Sequence, residues 1–187
     1  MAADTARERE LLAVTLQLLQ QHGYERLTVD EVAATARASK ATMYRRWPTK
    51  AELVLAAVLS GVSQVAVPPD TGCLRTDLLE IGNTVAEQVG RHAATMRAVL
   101  VEISRSPALN DVLQHQFFGE RQKLITHVLR QACDRGEIDA DAVDDDLWDL
   151  LPGYLAFRAV IQSRPADSRT VAALVDEVVI PRLKRRR

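Results

Sequence analysis

Apolar residues recur at helical intervals along the whole chain, and no stretch shows the strict alternation of a half-buried strand. Leu11, Leu12, Leu16, Leu18 and Leu19 line a first helix over about 5–21, and Gly23 is placed to end it as the left-handed residue after a C-cap. Thr28 with Glu31 three residues on forms a capping box, behind which Val32 and Ala33 open an apolar face. After a turn over 36–39, Ser39 can cap a third helix, with Met43 and Trp47 four apart as its inward seam. Thr49 and Glu52 form another capping box, which starts a fourth helix over about 49–59. Helices this close in sequence, joined by a short turn, read as a helix-turn-helix unit.

The remainder continues the pattern. Ser60-Gly61 and the proline- and glycine-bearing stretch 67–72 interrupt it and read as a boundary. Leu74, Leu78, Ile81 and Val85 predict a fifth helix to about 91, and Met96, Val99, Leu100 and Ile103 a sixth that stops near Ser106-Pro107. Leu113, Phe117, Leu124, Val128 and Ala132 form one face of a seventh, closed at Arg135-Gly136. An eighth, over about 144–162, contains Pro152, which cannot donate to the Trp148 carbonyl, so a kink or break is expected there. The ninth, about 167–184, carries Val171, Leu174, Val175, Val178 and Val179. The expected fold is all-α, with about nine helices.

At 187 residues and 47% hydrophobic, the chain can bury a sizeable core. Its amino terminus is charged and lacks the apolar stretch of a signal peptide. The longest apolar run, from Leu53 to Leu59, falls well short of the roughly 20 residues that cross a bilayer. A cytoplasmic location with no membrane partner is expected. Cys73 and Cys133 are isolated and lack metal-ligand spacing, so both are expected to be structural thiols. There is no glycine-rich phosphate loop, HExxH, CxxC or GxSxG to support an enzyme, and neither cofactor nor metal is expected. The acidic run Asp144–Asp146 stands at an expected helix start, where the macrodipole favours it.

Charge changes the picture locally. The chain as a whole is −1, yet residues 26–50 hold six Lys/Arg against Asp30 and Glu31, a local net of +4. A helix over 39–46 would span about 12 Å, close to the width of a B-DNA major groove. Lys40 can donate to guanine O6/N7, and Thr42 can offer a hydroxyl to a base or its methyl to thymine. Tyr44, Arg45, Arg46 and Lys50 suit phosphates, which give affinity and register without reading sequence. Charge and spacing alone fit either a DNA reader or a solvated amphipathic helix pair.

The assembled pattern over residues 11–58 resembles the DNA-binding domain of the TetR family of bacterial transcriptional regulators. The matching elements are the apolar first helix ending in HGY, then LTVDEVA, SKATMYRRW and the Pro-Thr-Lys start of the fourth helix. The resemblance implies an N-terminal helix-turn-helix DNA-binding domain over 1–48. It also implies a C-terminal effector-binding and dimerisation domain over 49–187, with the fourth helix as connector. It places Ser39, Lys40, Thr42, Tyr44 and Lys50 at usual DNA contacts, and the full expected DNA-binding set adds Thr28, Arg37 and Arg45. One departure is visible: the turn often carries Gly-Val where this chain has Arg37-Ala38. If residue 37 adopts positive φ, arginine costs about 1 kcal/mol there relative to glycine, which a phosphate contact could offset.

The stretches PPDTGCLRTDL and RGEIDADAVDDDLWDLLPGYLAFR also resemble one C-terminal subgroup of that family. The resemblance implies a homodimer held by the last two helices, acting on a palindromic double-stranded operator, most simply as a repressor released by a small-molecule effector. Its expected effector-lining residues are Met96, Leu100, Phe117, Leu151, Tyr154 and Phe157, with His92, Glu102, His115 or Arg158 as polar anchors. Trp148 is expected at the dimer interface or in the core. The basic tail over 182–187 fits the macrodipole of a helix C-terminus.

Overall fold

The helical start signals are realised as hydrogen bonds in the computed structural model, which describes residues 2–63, 67–139 and 147–184. Every regular element among the described residues is helical. The chain divides into two compact units, residues 1–64 with 94–117 and residues 65–93 with 118–187.

The first unit is built on α1 (Ala2–Arg26), α2 (Val29–Thr35), α3 (Lys40–Arg46) and α4 (Lys50–Ser63). α1 departs from helical geometry at Gly23 (φ 76°, ψ 170°), where the pattern ended it, and a last turn continues to Arg26. Leu11, Leu19, Leu27, Val32, Met43, Leu53 and Val54 are fully buried together, with Val99 and Leu109 completing the same core. Thr15 is the buried polar residue among those described in this unit, and its hydroxyl donates to the Leu11 carbonyl at 2.7 Å, so it carries no unmet polarity inward. Leu16, expected in the core, is partly buried at its edge. α4 does not stop near Leu59: it runs through Ser60-Gly61 to Ser63. Gly61 lies in the helix because Leu16 packs against it, where an added Cβ would meet Leu16 Cδ2 at 2.5 Å. This glycine serves close packing rather than a turn.

The fifth and sixth expected helices are one, α5 (Leu74–Arg105), whose residues belong to both units. Residues 92–95 change the buried face but contain no proline or glycine to stop the helix. Ser106 then caps α6 (Pro107–Val112), accepting from Leu109 N, with Pro107 opening the helix as a residue that needs no donor. A π-helical stretch, Leu113–Phe118, leads into α7 (Gly119–Asp134).

The second unit sets the beginning of α5 against α7, α8 (Leu147–Ala156), α9 (Ser168–Leu174) and α10 (Ile180–Leu183). Its core gathers Leu74, Leu78, Val128, Ala132, Leu151, Leu155, Val171, Val175 and Leu183. α8 continues through Pro152 without a break. The expected start of this helix near 144, the acids 144–146 and the last three residues lie outside the described part, as does the Trp148 side chain. π-helical turns follow at Phe157–Ile161 and Val175–Val179. The second has a packing reason. Buried residues at 171, 175, 179 and 183 recur every four positions, a spacing that drifts around an ideal 3.6-residue helix. A wider turn brings them back onto one face.

The two subgroup stretches meet at the start of α5. Asp77 is fully buried, and its carboxylate accepts from Thr71 N (2.8 Å), Thr71 Oγ1 (2.7 Å) and Arg135 Nη2 (3.2 Å). Arg135 Nε also donates to Glu137 (2.6 Å), whose other oxygen accepts from Leu74 N (2.9 Å), one of the free donors of the helix start. Glu137 is brought there by a Schellman closure of α7, in which Gly136 (φ 75°) donates to Cys133 O and Glu137 N to Ala132 O.

Candidate nucleic-acid interface

The geometry of the helix pair follows from its caps. Thr28 is extended and accepts from Glu31 N at 3.2 Å. The Glu31 carboxylate turns to His22 Nε2 at 3.3 Å. α2 ends in a Schellman motif: Ala38 N donates to Ala33 O (2.8 Å), Arg37 N to Ala34 O (3.1 Å), and Arg37 holds the left-handed position at φ 51°. Ser39 then caps α3, accepting from Thr42 N (3.1 Å) and sharing a hydroxyl hydrogen bond with Thr42 Oγ1 (2.8 Å).

Met43 is fully buried and Trp47 nearly so, and this seam fixes which side of α3 faces out. Lys40, Tyr44 and Arg45 are exposed, Thr42 partly so, and Ser39 and Arg37 stand exposed at the turn. Lys50 opens α4, where its ammonium lies 4.4 Å from the centre of the Tyr24 ring and donates to the Glu25 carbonyl at 3.3 Å. Burial, then the nearby Glu102 and Glu25 carboxylates, holds the Tyr24 phenol above its ordinary pKa, so the ring under the ammonium stays neutral.

Arg46 differs from its expected role. Its guanidinium turns inward to Glu8 at 3.3 Å, linking the end of α3 to α1 instead of standing out with Arg45. Two further residues of this surface have no signal in the local pattern. Arg7 Nη2 donates to the Ala36 and Arg37 carbonyls at 2.6 and 3.1 Å, capping the end of α2 from α1. Asp30, on the first turn of α2, lies 2.6 Å from Lys40 Nζ on α3. Both contacts join residues distant in sequence, and only the charge pattern of the first helix and the lone acids of the basic stretch could have hinted at them.

The expected effector residues are spread over the two units. Met96, Leu100 and Phe117 belong to the first, where Met96 is partly buried, Leu100 is exposed and the Phe117 side chain lies outside the described part. Leu151, Tyr154 and Phe157 belong to the second. Leu151 is core, whereas Tyr154 of α8 and Phe157 of the π-helical turn after it stand exposed, as do Leu150 and Ile161. Arg158 lies over the Tyr154 ring, 5.7 Å from its centre, and Nη1 donates to the phenol oxygen at 3.4 Å. His92 is buried, which lowers its pKa, with Arg91 adding to the effect. His115 is exposed with a ring nitrogen 2.8 Å from the Asp111 carbonyl, and Glu102 is partly buried. No helix among the described residues is long and apolar enough to cross a membrane.

Comparison with known proteins agrees with this geometry. Residues 11–57 match the model for bacterial regulatory proteins of the tetR family, and residues 68–178 match a tetracyclin repressor-like C-terminal domain. The chain is 66% identical, over 96% of its length and 89% of the relative's, to an uncharacterised HTH-type transcriptional regulator of Mycobacterium tuberculosis. It is 32% identical, over 96% of its length and 95% of the relative's, to a protein of Mycobacteroides abscessus named a DNA-binding transcriptional repressor. The crystal structure of a TetR family transcription regulator superposes with a TM-score of 0.78, covering 91% of this chain and 94% of that one at 29% identity. With the helix-turn-helix, the all-helical second unit and these likenesses together, the chain belongs to the TetR family of bacterial transcriptional regulators.

Proposed function

We propose that the protein is a homodimeric repressor that binds a palindromic operator and is released by a small effector. The observation that carries the DNA-reading part is the seating of α3. Met43 and Trp47 are buried, while Lys40, Tyr44 and Arg45 are exposed and Thr42 partly so, beside the exposed Ser39 and Arg37 at the turn. On this reading Lys40 and Thr42 address base edges, while Thr28, Arg37, Ser39, Tyr44, Arg45 and Lys50 position the phosphate backbone. The cytoplasm, where the chromosome lies, is the matching location. Residues 1–48 form the reading domain on this view, and the remainder carries control.

One short helix reads few base pairs, and a two-fold dimer supplies two half-sites one helical turn apart. Leu150 and Tyr154 of α8, with Phe157 and Ile161 of the π-helical turn that follows it, are exposed at intervals of four, three and four, the spacing of a helix-packing seam. This apolar row, with Val178 exposed after α9, supports a subunit contact through the last helices. The repressor role follows the named function of the Mycobacteroides abscessus relative. For an effector, the supporting observation lies in the second unit: His92 Nδ1, Gln131 Oε1 and Arg158 Nε are buried polar atoms with no hydrogen-bond partner among the described residues. Such atoms are rare in folded proteins and gain when a bound molecule satisfies them.

The experiment is selection of bound duplexes from a random DNA pool by the purified full chain. The expected result is an enriched inverted repeat with half-sites one helical turn apart. Binding to all duplexes alike, abolished by moderate salt, would reject the sequence-specific reading.

A further inference from the structure

We infer that Asp30 is a specificity-determining residue which, paired with Lys40, reads a G·C base pair as one donor–acceptor unit. The inference rests on the DNA-reading function proposed above. A carboxylate on a surface built to meet phosphates opposes their charge, so Asp30 weakens general attraction unless it has a specific use. Its position supplies one. Asp30 Oδ2 lies 2.6 Å from Lys40 Nζ, with both side chains more than half exposed, so the pair stands at the surface. Asp30 is in the first turn of α2, and Lys40 is the first residue of α3, where a recognition helix presents side chains to base edges.

Lysine alone is a point charge on a flexible stem, able to donate to guanine or to any phosphate in reach. Holding its ammonium against Asp30 restricts that freedom and cancels part of its pull on phosphates. The joined pair then presents a donor beside an acceptor. In the major groove guanine offers the O6 and N7 acceptors and cytosine the N4 amino donor, so a G·C pair satisfies both halves. Elsewhere the carboxylate is desolvated without a matched donor, which penalises the wrong site.

The test compares the wild-type chain with Asp30→Ala and Asp30→Asn by selection from random duplexes. Titrations then follow on the selected site and on a scrambled duplex over a salt series. Thermal melting confirms that each variant is folded, and Asp30→Asn, close in size, stands in if Asp30→Ala is not. The wild type should enrich a repeat with a G·C pair at a fixed place in each half-site. Both variants should keep the rest of the repeat and lose that preference. They should bind scrambled DNA several-fold more tightly, with a salt slope steeper by about one unit as the freed lysine displaces another counterion. The ratio of selected to scrambled affinity should fall about tenfold, within the reach of one good base contact. An unchanged preference and ratio in a folded variant would make the pair a solvated surface bridge and overturn the assignment. A wild type that enriches no repeat would overturn the regulator reading itself, an outcome visible before any variant is examined.

Discussion

Arg37 shows how one residue links local strain to tertiary support. At φ 51° its Cβ crowds the backbone in a conformation that glycine adopts freely. The Schellman hydrogen bonds from Arg37 N and Ala38 N hold it there, and Arg7 binds the carbonyls of Ala36 and Arg37 from α1. The strain is therefore met inside the protein, before any phosphate is present. Arg37→Gly should raise stability to denaturant by up to about 1 kcal/mol, since the left-handed conformation costs glycine little. The same substitution should lower the salt slope of DNA binding by about one unit if Arg37 touches a phosphate. A variant that melts no later than the wild type would show that Arg37 is not strained at this turn.

Elements in the second unit approach one another through small residues and wide turns. Gly82 of α5 faces Val171 and Leu151, and an added Cβ would lie 2.5 Å from Val171 Cγ1 and 3.4 Å from Leu151 Cδ1. Both neighbours are buried core residues, and a β-branched valine has little rotamer freedom with which to yield. Gly82→Val should therefore destabilise the fold by about 1–3 kcal/mol, the cost of overpacking, read as a lower denaturation midpoint with an unchanged slope. α5 also carries a titratable burden in His92, whose pKa burial holds below the ordinary 6.5. The unfolded chain therefore takes up the proton first as pH falls. The stability contributed by neutral His92 is complete above 6.5 and is lost as pH drops through the folded value. His92→Gln should flatten the loss of melting temperature between pH 7 and about pH 5 relative to the wild type. Parallel curves for the two proteins would refute this account.

At the scale of the molecule, the exposed apolar row from Leu150 to Ile161 is a feature that one chain leaves unexplained. Phe157 and Ile161 are 50% and 64% exposed, large apolar side chains that water solvates poorly. If they close a two-fold contact, Phe157→Asp should shift the protein to a monomer in analytical ultracentrifugation while leaving its helical content intact. Operator binding should then weaken by more than about tenfold, because each reading head would act alone. A dimer that survives both Phe157→Asp and Ile161→Asp would place the subunit contact elsewhere.

Much of the first unit was legible in the sequence because its signals are local. Thr28, Ser39 and Thr49 act on backbone groups within one turn, and Met43 with Trp47 defines the inward side of α3 by spacing alone. The all-helical class followed from the same periodicity. Gly61 and residues 92–95 misled because a glycine inside a helix and a change of buried face look the same, in sequence, as an ending. Only packing against Leu16 and the continuous run of α5 separate the cases. The grip of Arg7 on the turn, the Asp30–Lys40 pair and the burial of Asp77 against Arg135 were settled by the tertiary structure. They bridge residues 29, 10 and 58 positions apart, and a charge in a sequence carries no mark of the distant partner that folding will bring to it.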